Sequence, residues 1–267
     1  MKVKEITKHI ESVAPLSLQE HWDNSGLQIG NPEQDVCSVL LCTDITEDIL
    51  WEAYEKQCQL VVSHHPLLFH GLKTIQGSTM QERCAVFAIK HNISIYSSHI
   101  PMDSYLHGVS GHIAEKLGIY DYNILAPTQP SAGLGVVGNL PKPIYFSVFL
   151  EQVAKIFRVR AIRYTPPVKE SVQRIAVCGG AGSEFMQRAI EQQADVYLSA
   201  DFKYHEFCDS VSRIAIVDIG HFESEQFTKE IFQSILEPFQ QSVNLFMAEN
   251  DINLVHTYIA NNNIKNN

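Results

Sequence analysis

The sequence predicts an α/β protein made of two similar halves with mainly parallel sheets. Short apolar runs alternate with amphipathic helical stretches along most of the 267 residues. Such alternation is typical of parallel sheets that are flanked by helices. The order of these elements in the first part of the chain also recurs in the second part, which predicts two halves related by an approximate two-fold axis.

The first half begins with an amphipathic helix over 3–13 and a loop. Apolar runs then predict strands at VCSVLLCTDI (36–45), QLVVS (59–63) and ISIYSSH (93–99). Helical stretches separate the strands, at TEDILWEAYEKQC and MQERCAVFAIKHN, and a further helix is predicted through VSGHIAEKLG. These elements make up a first α/β half over 1–125.

The second half repeats this order. Strands are predicted at RIAVC (174–178), DVYLS (195–199) and RIAIVDIG (213–220), and SEQFTKEIFQSILEPFQ is helical. The second half therefore covers 171–267, and its end, NNNIKNN, is predicted to be disordered. The connecting segment, 126–170, is rich in Pro, Gly and Tyr and fits a small β subdomain or an interface element. The two halves could also form one intertwined domain.

Composition excludes several classes of function. The net charge of −10 and the pI near 5.6 argue against binding to nucleic acid or to anionic membranes, which needs clustered basic residues. No run approaches 18 apolar residues, and the N-terminus lacks the apolar core of a signal peptide. The six cysteines show no C-x-x-C spacing. We therefore expect a reduced, cytoplasmic protein.

Histidines and carboxylates follow the ends of the predicted strands. His64 and His65 come directly after QLVVS and before Pro66, which ends regular structure. In each half, the last predicted strand leads to a histidine that has a carboxylate four residues later. Ligands of α/β sheets bind beyond the carboxyl ends of the strands. These two pairs are His99 with Asp103 and His221 with Glu225.

This set of side chains predicts a metal site. Histidine nitrogens combined with carboxylate oxygens suit Zn, Fe, Mn or Ni better than Ca or Mg. The number of ligands predicts two divalent ions, which would activate a bridging water. Each residue alone also has an ordinary interpretation: Asp103 as a helix cap, and Glu225 as a carboxylate favoured in an early helical turn. The recurrence in both halves favours the metal site.

Three other motifs are less specific. CGGAGSEF (178–185) either offers backbone N–H groups to a phosphate or, as we favour, forms a plain tight turn. ADFKYHEF (200–207) either lines the same crevice, with Asp201 and His205, or starts a solvated helix. HWDNSGLQIG (21–30) holds Trp22, which is either buried beside turn-forming residues or stacks on a substrate.

The motifs HWDNSGLQIG, SHHPLLFHG, SSHIPMDS, CGGAGS, SADFKYHE and GHFESEQF, in this order, resemble those of the Nif-three-like proteins, also called GTP cyclohydrolase 1 type 2 homologues. The resemblance runs from about residue 2 to 250, without the domain that some members insert. It implies two α/β halves around a dinuclear metal centre and a toroid of six subunits. It also implies the metal ligands His64, His65, Asp103, His221 and Glu225, with Glu225 bridging both ions.

The resemblance implies a metal-dependent hydrolase whose substrate is a nucleotide, with ring opening of GTP as the expected reaction. His99 or His205 would carry protons, since imidazole titrates near neutral pH. A phosphoester hydrolase would use the same centre. The alternative from a different class is a metal-binding hexameric ring that acts as a scaffold, metal handler or regulator.

Overall fold

The computed structural model describes residues 1–259 and contains two β-sheets with helices on their faces. The helices are α1 (Val3–Val13), α2 (Glu47–Glu55), α3 (Met80–Lys90), α4 (Ile100–Ser104), α5 (Val109–Lys116), α6 (Phe146–Phe157), α7 (Met186–Glu191), α8 (Tyr204–Ser210), α9 (His221–Glu225) and α10 (Thr228–Leu236). The strands are β1 (Gly26–Ile29), β2 (Ser38–Cys42), β3 (Leu60–Ser63), β4 (Ser94–Ser97), β5 (Tyr122–Gln129), β6 (Ala132–Tyr145), β7 (Arg163–Tyr164), β8 (Ser171–Ala181), β9 (Val196–Ala200), β10 (Ala215–Asp218) and β11 (Asn244–Met247). The predicted α/β class is confirmed, and the segment predicted to be disordered lies outside the described residues.

The first sheet has the strand order β1-β4-β3-β2-β11. Strands β4, β3, β2 and β11 are parallel, and only β1 is antiparallel to its neighbour. Parallel strands place their carboxyl ends at one edge of the sheet, so the residues that follow β2, β3 and β4 lie close together. Strand β11 comes from the end of the chain, so the second half completes the sheet of the first.

The second sheet has the order β5-β6-β8-β9-β10-β7. Only β8, β9 and β10 are parallel, so the prediction of a mainly parallel sheet is wrong here. The reason is the long β5–β6 pair, which needs only a short turn because its strands are antiparallel. The segment 126–170 thus supplies the strands β6 and β7 to this sheet, with the helix α6 between them. The predicted division of the chain into two halves stays a prediction.

The same order of elements occurs twice. Parallel strands β2, β3 and β4 alternate with α2 and α3 and lead into the short helix α4. Parallel strands β8, β9 and β10 alternate with α7 and α8 and lead into the short helix α9. This repetition places His99 before α4 and His221 at the start of α9, as the sequence predicts. The approximate two-fold relation between the halves stays a prediction.

Alternate residues of the buried strands pack on opposite faces of each sheet. In β2, Val39 and Leu41 join a central apolar cluster, whereas Leu40 and Cys42 pack against α2 and α3. The central cluster also contains residues of the second sheet, such as Val177. The two sheets therefore share one core, which fixes the edge of one relative to the edge of the other.

All six cysteines are free, and four of them are buried, as expected for thiols in apolar runs. No helix within residues 1–259 combines the length and the apolar character that crossing a bilayer requires.

Candidate metal centre

The structure brings six of the predicted residues together at the carboxyl edges of the two sheets. His64 and His65 follow β3, His99 follows β4, and Asp103 lies in α4, while His221 and Glu225 are the first and last residues of α9. Three groups of their ligand atoms lie within 4.8 Å of one another and could hold a metal ion. These groups are His64–His65–His99, His65–His221–Glu225 and His64–Asp103–Glu225.

Glu225 lies between two of these groups. Its Oε1 is 3.6 Å from His64 Nε2, whereas its Oε2 is 3.1 Å from Nε2 of both His65 and His221. The two oxygens of one buried carboxylate thus face two different sets of histidine nitrogens. The ligand groups on the two sides of the carboxylate could each hold a metal ion.

Gly180 makes room for this carboxylate. Its φ of +61° is a conformation that side chains rarely adopt, and a Cβ there would lie 2.2 Å from Glu225 Oε1. The predicted turn at this glycine-rich stretch is wrong, because β8 continues through Ala181. The N–H groups of Gly179 and Gly180 donate to the hydroxyls of Ser110 and Ser224, at 3.2 and 2.8 Å. These two N–H groups are therefore engaged within the protein.

Three buried atoms of the cluster have no hydrogen-bond partner within residues 1–259: His64 Nε2, Asp103 Oδ1 and Glu225 Oε2. Buried polar atoms normally have partners, since a missing one costs about 1–3 kcal/mol. All three atoms face the same centre, and a metal ion between them would satisfy them together. The residues present therefore fit the metal that their donor types predict.

Each of the four histidines is held through Nδ1, which leaves Nε2 directed at the centre. A carboxylate can only accept, so the three carboxylates at these Nδ1 atoms fix the proton there. The pairs are Asp23–His99 at 2.9 Å, Asp44–His65 at 2.9 Å and Asp201–His221 at 2.7 Å. His64 Nδ1 lies 3.2 Å from the carbonyl oxygen of Ser98. Orientation of this kind is what metal-binding histidines require.

The centre favours positive charge on two of its histidines, His65 and His221. Burial lowers the pKa of His65, but the hydrogen bond to Asp44 and the carboxylate of Glu225 outweigh it and raise the pKa well above its ordinary value. Burial also lowers the pKa of His221, but the contacts with Glu225 and Asp201 outweigh this effect and raise the pKa to about 9. A metal ion takes the unprotonated nitrogen, so it would replace the protons that these carboxylates attract.

The two buried carboxyl groups differ in their pKa. Burial raises the pKa of Glu225, but the charge of His64 and the contacts with His221 and His65 reverse this and lower it well below its ordinary value. Burial also raises the pKa of Asp103, and there the nearby His64 and His99 only partly oppose it. The surroundings thus favour the ionised form of Glu225 more than that of Asp103.

His205 is exposed on α8, with its ring beside that of Tyr204. No hydrogen bond or ion pair of the described chain joins it to the cluster, and its catalytic role stays a prediction. Trp22 is 47% exposed, so the expectation of a buried tryptophan is wrong. Its ring lies 6.0 Å from His99 and 5.9 Å from Phe69, beside the centre.

Sequence reasoning missed Asp44 and assigned no role to Asp23. Asp44 follows the end of β2, at the edge where His65 follows β3, and the parallel pairing of these strands brings the two residues together. Its position near the carboxyl end of the strand predicted over 36–45 was the available signal. Asp23 lies in a loop, and its approach to His99 depends on the antiparallel pairing of β1 with β4.

The fold and the cluster define an α/β protein with a candidate metal centre of histidines and carboxylates. The family model described as Duf34/NIF3 (NGG1p interacting factor 3) matches residues 1–253. The chain therefore belongs to this family, which confirms the resemblance seen in its motifs.

Two relatives agree with this membership, and a solved structure shares the fold. The chain is 34% identical over 228 residues to the GTP cyclohydrolase 1 type 2 homolog of Clostridium perfringens, covering 84% of this chain and 87% of that protein. It is 32% identical over 229 residues to the protein of the same name from Clostridium acetobutylicum, covering 84% and 85%. The crystal structure of the Bacillus cereus protein related to NIF3 shares the fold, with a TM-score of 0.88, 21% identity and coverage of 97% and 99%.

Replacing Asp44 by Asn is expected to weaken metal binding by about 10- to 100-fold, because the amide no longer fixes the Nδ1 proton of His65 as a carboxylate does. Competition with a chromogenic chelator measures the affinity. Asp35→Asn is the control, since Asp35 is exposed and pairs only with Lys2. Equal affinities of the two variants would exclude this role for Asp44.

Proposed function

We propose that the protein is a hydrolase that depends on two divalent metal ions and acts on a nucleotide. The observation that carries the proposal is the position of Glu225 between two groups of ligand atoms. His64 and Asp103 would hold one ion with Glu225, and His65 and His221 would hold the other. Ions paired in this way supply Lewis-acid activation of a water molecule.

The small number of protein ligands favours catalysis over a purely structural centre. Five side chains, one of them shared, give three protein ligands to each ion. A structural zinc site is closed by four protein ligands, whereas a catalytic metal keeps a position for water or substrate. The described cluster therefore leaves space for a reacting group at each ion.

His99 is the best candidate for moving a proton. Asp23 holds its Nδ1, and its Nε2 lies 3.9 Å from Asp103 Oδ2, next to the proposed reaction space. An imidazole oriented in this way can accept a proton from water or return one to a leaving group. The exposed ring of Trp22 beside His99 offers a surface on which a nucleobase could stack.

The nucleotide part of the proposal draws support from relatives, whose names describe them as homologues of GTP cyclohydrolase 1 type 2. Ring opening of GTP is therefore the first reaction to test. The hexameric ring stays a prediction, to be tested by the mass of the purified protein in solution. A ring without turnover would favour the alternative of a scaffold, metal handler or regulator.

The test is elemental analysis of protein purified without chelator, with a GTP turnover assay on the same samples. We expect two ions per chain in the native protein, and loss of metal and turnover together in His65→Ala. His91→Ala is the control, because His91 packs on Tyr54 and Phe87 and belongs to none of the three ligand groups. Two ions without turnover of GTP would keep the centre and remove this substrate.

A further inference from the structure

A cavity of about 640 Å³ opens beside the candidate metal centre. His221, a member of the centre, and its partner Asp201 line one wall. The loop after α6 also lines the cavity, with Arg158 and Arg160, and so does Arg163 at the start of β7. The volume lies within the usual range of about 300–1,000 Å³ for small-molecule sites. The cavity therefore adjoins the place where we propose that the reaction occurs.

Three arginines and three carboxylates line the cavity, and they differ in whether they have an ion-pair partner. Its three acidic residues each have a partner: Asp201 pairs with His221, Asp218 with Arg163, and Glu223 accepts from Asn253 at 2.8 Å. Two arginines, in contrast, are exposed and form no ion pair within residues 1–259; these are Arg158 and Arg160. The cavity thus presents two guanidinium groups that have no ion-pair partner within residues 1–259, in a chain whose net charge is −10.

The loop that carries these arginines is anchored at both ends. Gln226, which directly follows α9, donates to the carbonyl oxygen of Phe157 at 3.0 Å. At the other end, β7 pairs with β10, and Arg163 donates to the carbonyl of Phe202 and forms an ion pair with Asp218. The arginine loop is therefore held against α9, the helix that also supplies His221 and Glu225.

We propose that this cavity binds the phosphate groups of the substrate through Arg158 and Arg160. Guanidinium groups form paired hydrogen bonds with phosphate oxygens, and these two arginines form no ion pair within residues 1–259 that would compete for them. This inference rests on the proposed function, since it concerns the substrate of the same centre. The group recognised by the two arginines is an oligophosphate, whichever small molecule carries it.

The position of the cavity also orients a nucleotide. His65 lies between His99 and His221, with ring centroids 5.3 Å from the first and 5.4 Å from the second. The stacking surface of Trp22 adjoins His99, and the arginine cavity adjoins His221. A nucleotide would therefore place its base on the His99 side and its phosphates on the His221 side of the centre.

The test compares the double variant Arg158→Gln/Arg160→Gln with native protein in calorimetric titrations. The probes are tripolyphosphate, GTP and guanosine. Metal ions attract phosphate by themselves, so each titration is run on metal-loaded and on chelator-treated protein. We expect tripolyphosphate and GTP to bind the double variant on the order of 100-fold more weakly, about tenfold for each arginine, with guanosine binding and metal content unchanged.

The control removes two positive charges elsewhere, in Arg188→Gln/Arg213→Gln. Arg188 pairs with Glu191 and Arg213 donates to Gln187, and neither lines the cavity. The inference would be overturned if Arg158→Gln/Arg160→Gln bound tripolyphosphate as tightly as native protein does. It would also be overturned if Arg188→Gln/Arg213→Gln lost as much affinity for tripolyphosphate as Arg158→Gln/Arg160→Gln. Binding to metal-free protein needs no turnover, so a failure of GTP as substrate would be distinguishable from a failure of this site.

Discussion

Replacing Glu225 by Gln is expected to remove at least one of the two proposed metal ions per chain while the fold stays intact. The side chain keeps its size, but it loses the negative charge that its two oxygens share. One oxygen faces the side of His64 and the other faces the side of His65 and His221, so metal binding on both sides is weakened. Loss of a charged ligand shared by two ions should weaken binding more than the 10- to 100-fold that is typical of a lost supporting residue.

Elemental analysis after gel filtration gives the number of ions, and circular dichroism with thermal unfolding tests the fold. Glu223→Gln is a matched control on the same helix, since Glu223 accepts a hydrogen bond from Asn253 and belongs to none of the ligand groups. We expect Glu223→Gln to keep both ions. A Glu225→Gln protein that still holds two ions would show that Glu225 does not bridge them.

Much of the first half of the fold is predictable because its signals are local. The helix over 3–13 coincides with α1, and the strand predicted over 36–45 contains β2, although only Ser38–Cys42 pair in the sheet. The predicted strand extends too far because apolar residues continue to Ile45. In the structure, Ile45 packs on α2 rather than in the sheet. The periodicity of apolar residues thus predicts that an element exists more reliably than it predicts where the element begins and ends.

The β5–β6 pair was not predictable in the same way. Its strands contain Pro127, Pro141, Pro143 and three glycines, which single-sequence reasoning treats as signs of turns. They pair because β6 adds to β8 in the second sheet, which is a long-range interaction that sequence spacing does not reveal. Glycines such as Gly138 tolerate the close approach of neighbouring backbone at this place.

The candidate ligands were more predictable than the residues that support them. His64, His65 and His221 follow strand ends, so one topological rule brings them to the same edge. Asp44 and Asp23 need a particular register between strands and a particular loop path, which only the folded structure supplies. The stacking surface of Trp22 has the same origin.

Replacing Gly180 by Ala is expected to destabilise the protein and to empty the metal centre. The residue has a φ of +61°, and an added Cβ would lie 2.2 Å from Glu225 Oε1 and 3.4 Å from His221 Cε1. The change therefore combines backbone strain of about 1 kcal/mol with overpacking of about 1–3 kcal/mol. Glu225 can relieve the overlap only by moving away from the position that faces His64.

Gly118→Ala separates these two effects. Gly118 also has a positive φ, of +80°, but no atom lies within 4 Å of a Cβ placed there. We expect it to lose only about 1 kcal/mol of unfolding free energy and to keep its metal. Urea unfolding in the presence of a chelator compares the two variants without the contribution of bound ions, and elemental analysis follows the metal. If both variants lose the same free energy and both keep two ions, Gly180 is not needed for space around Glu225, and the carboxylate must be able to reach the ions from another position.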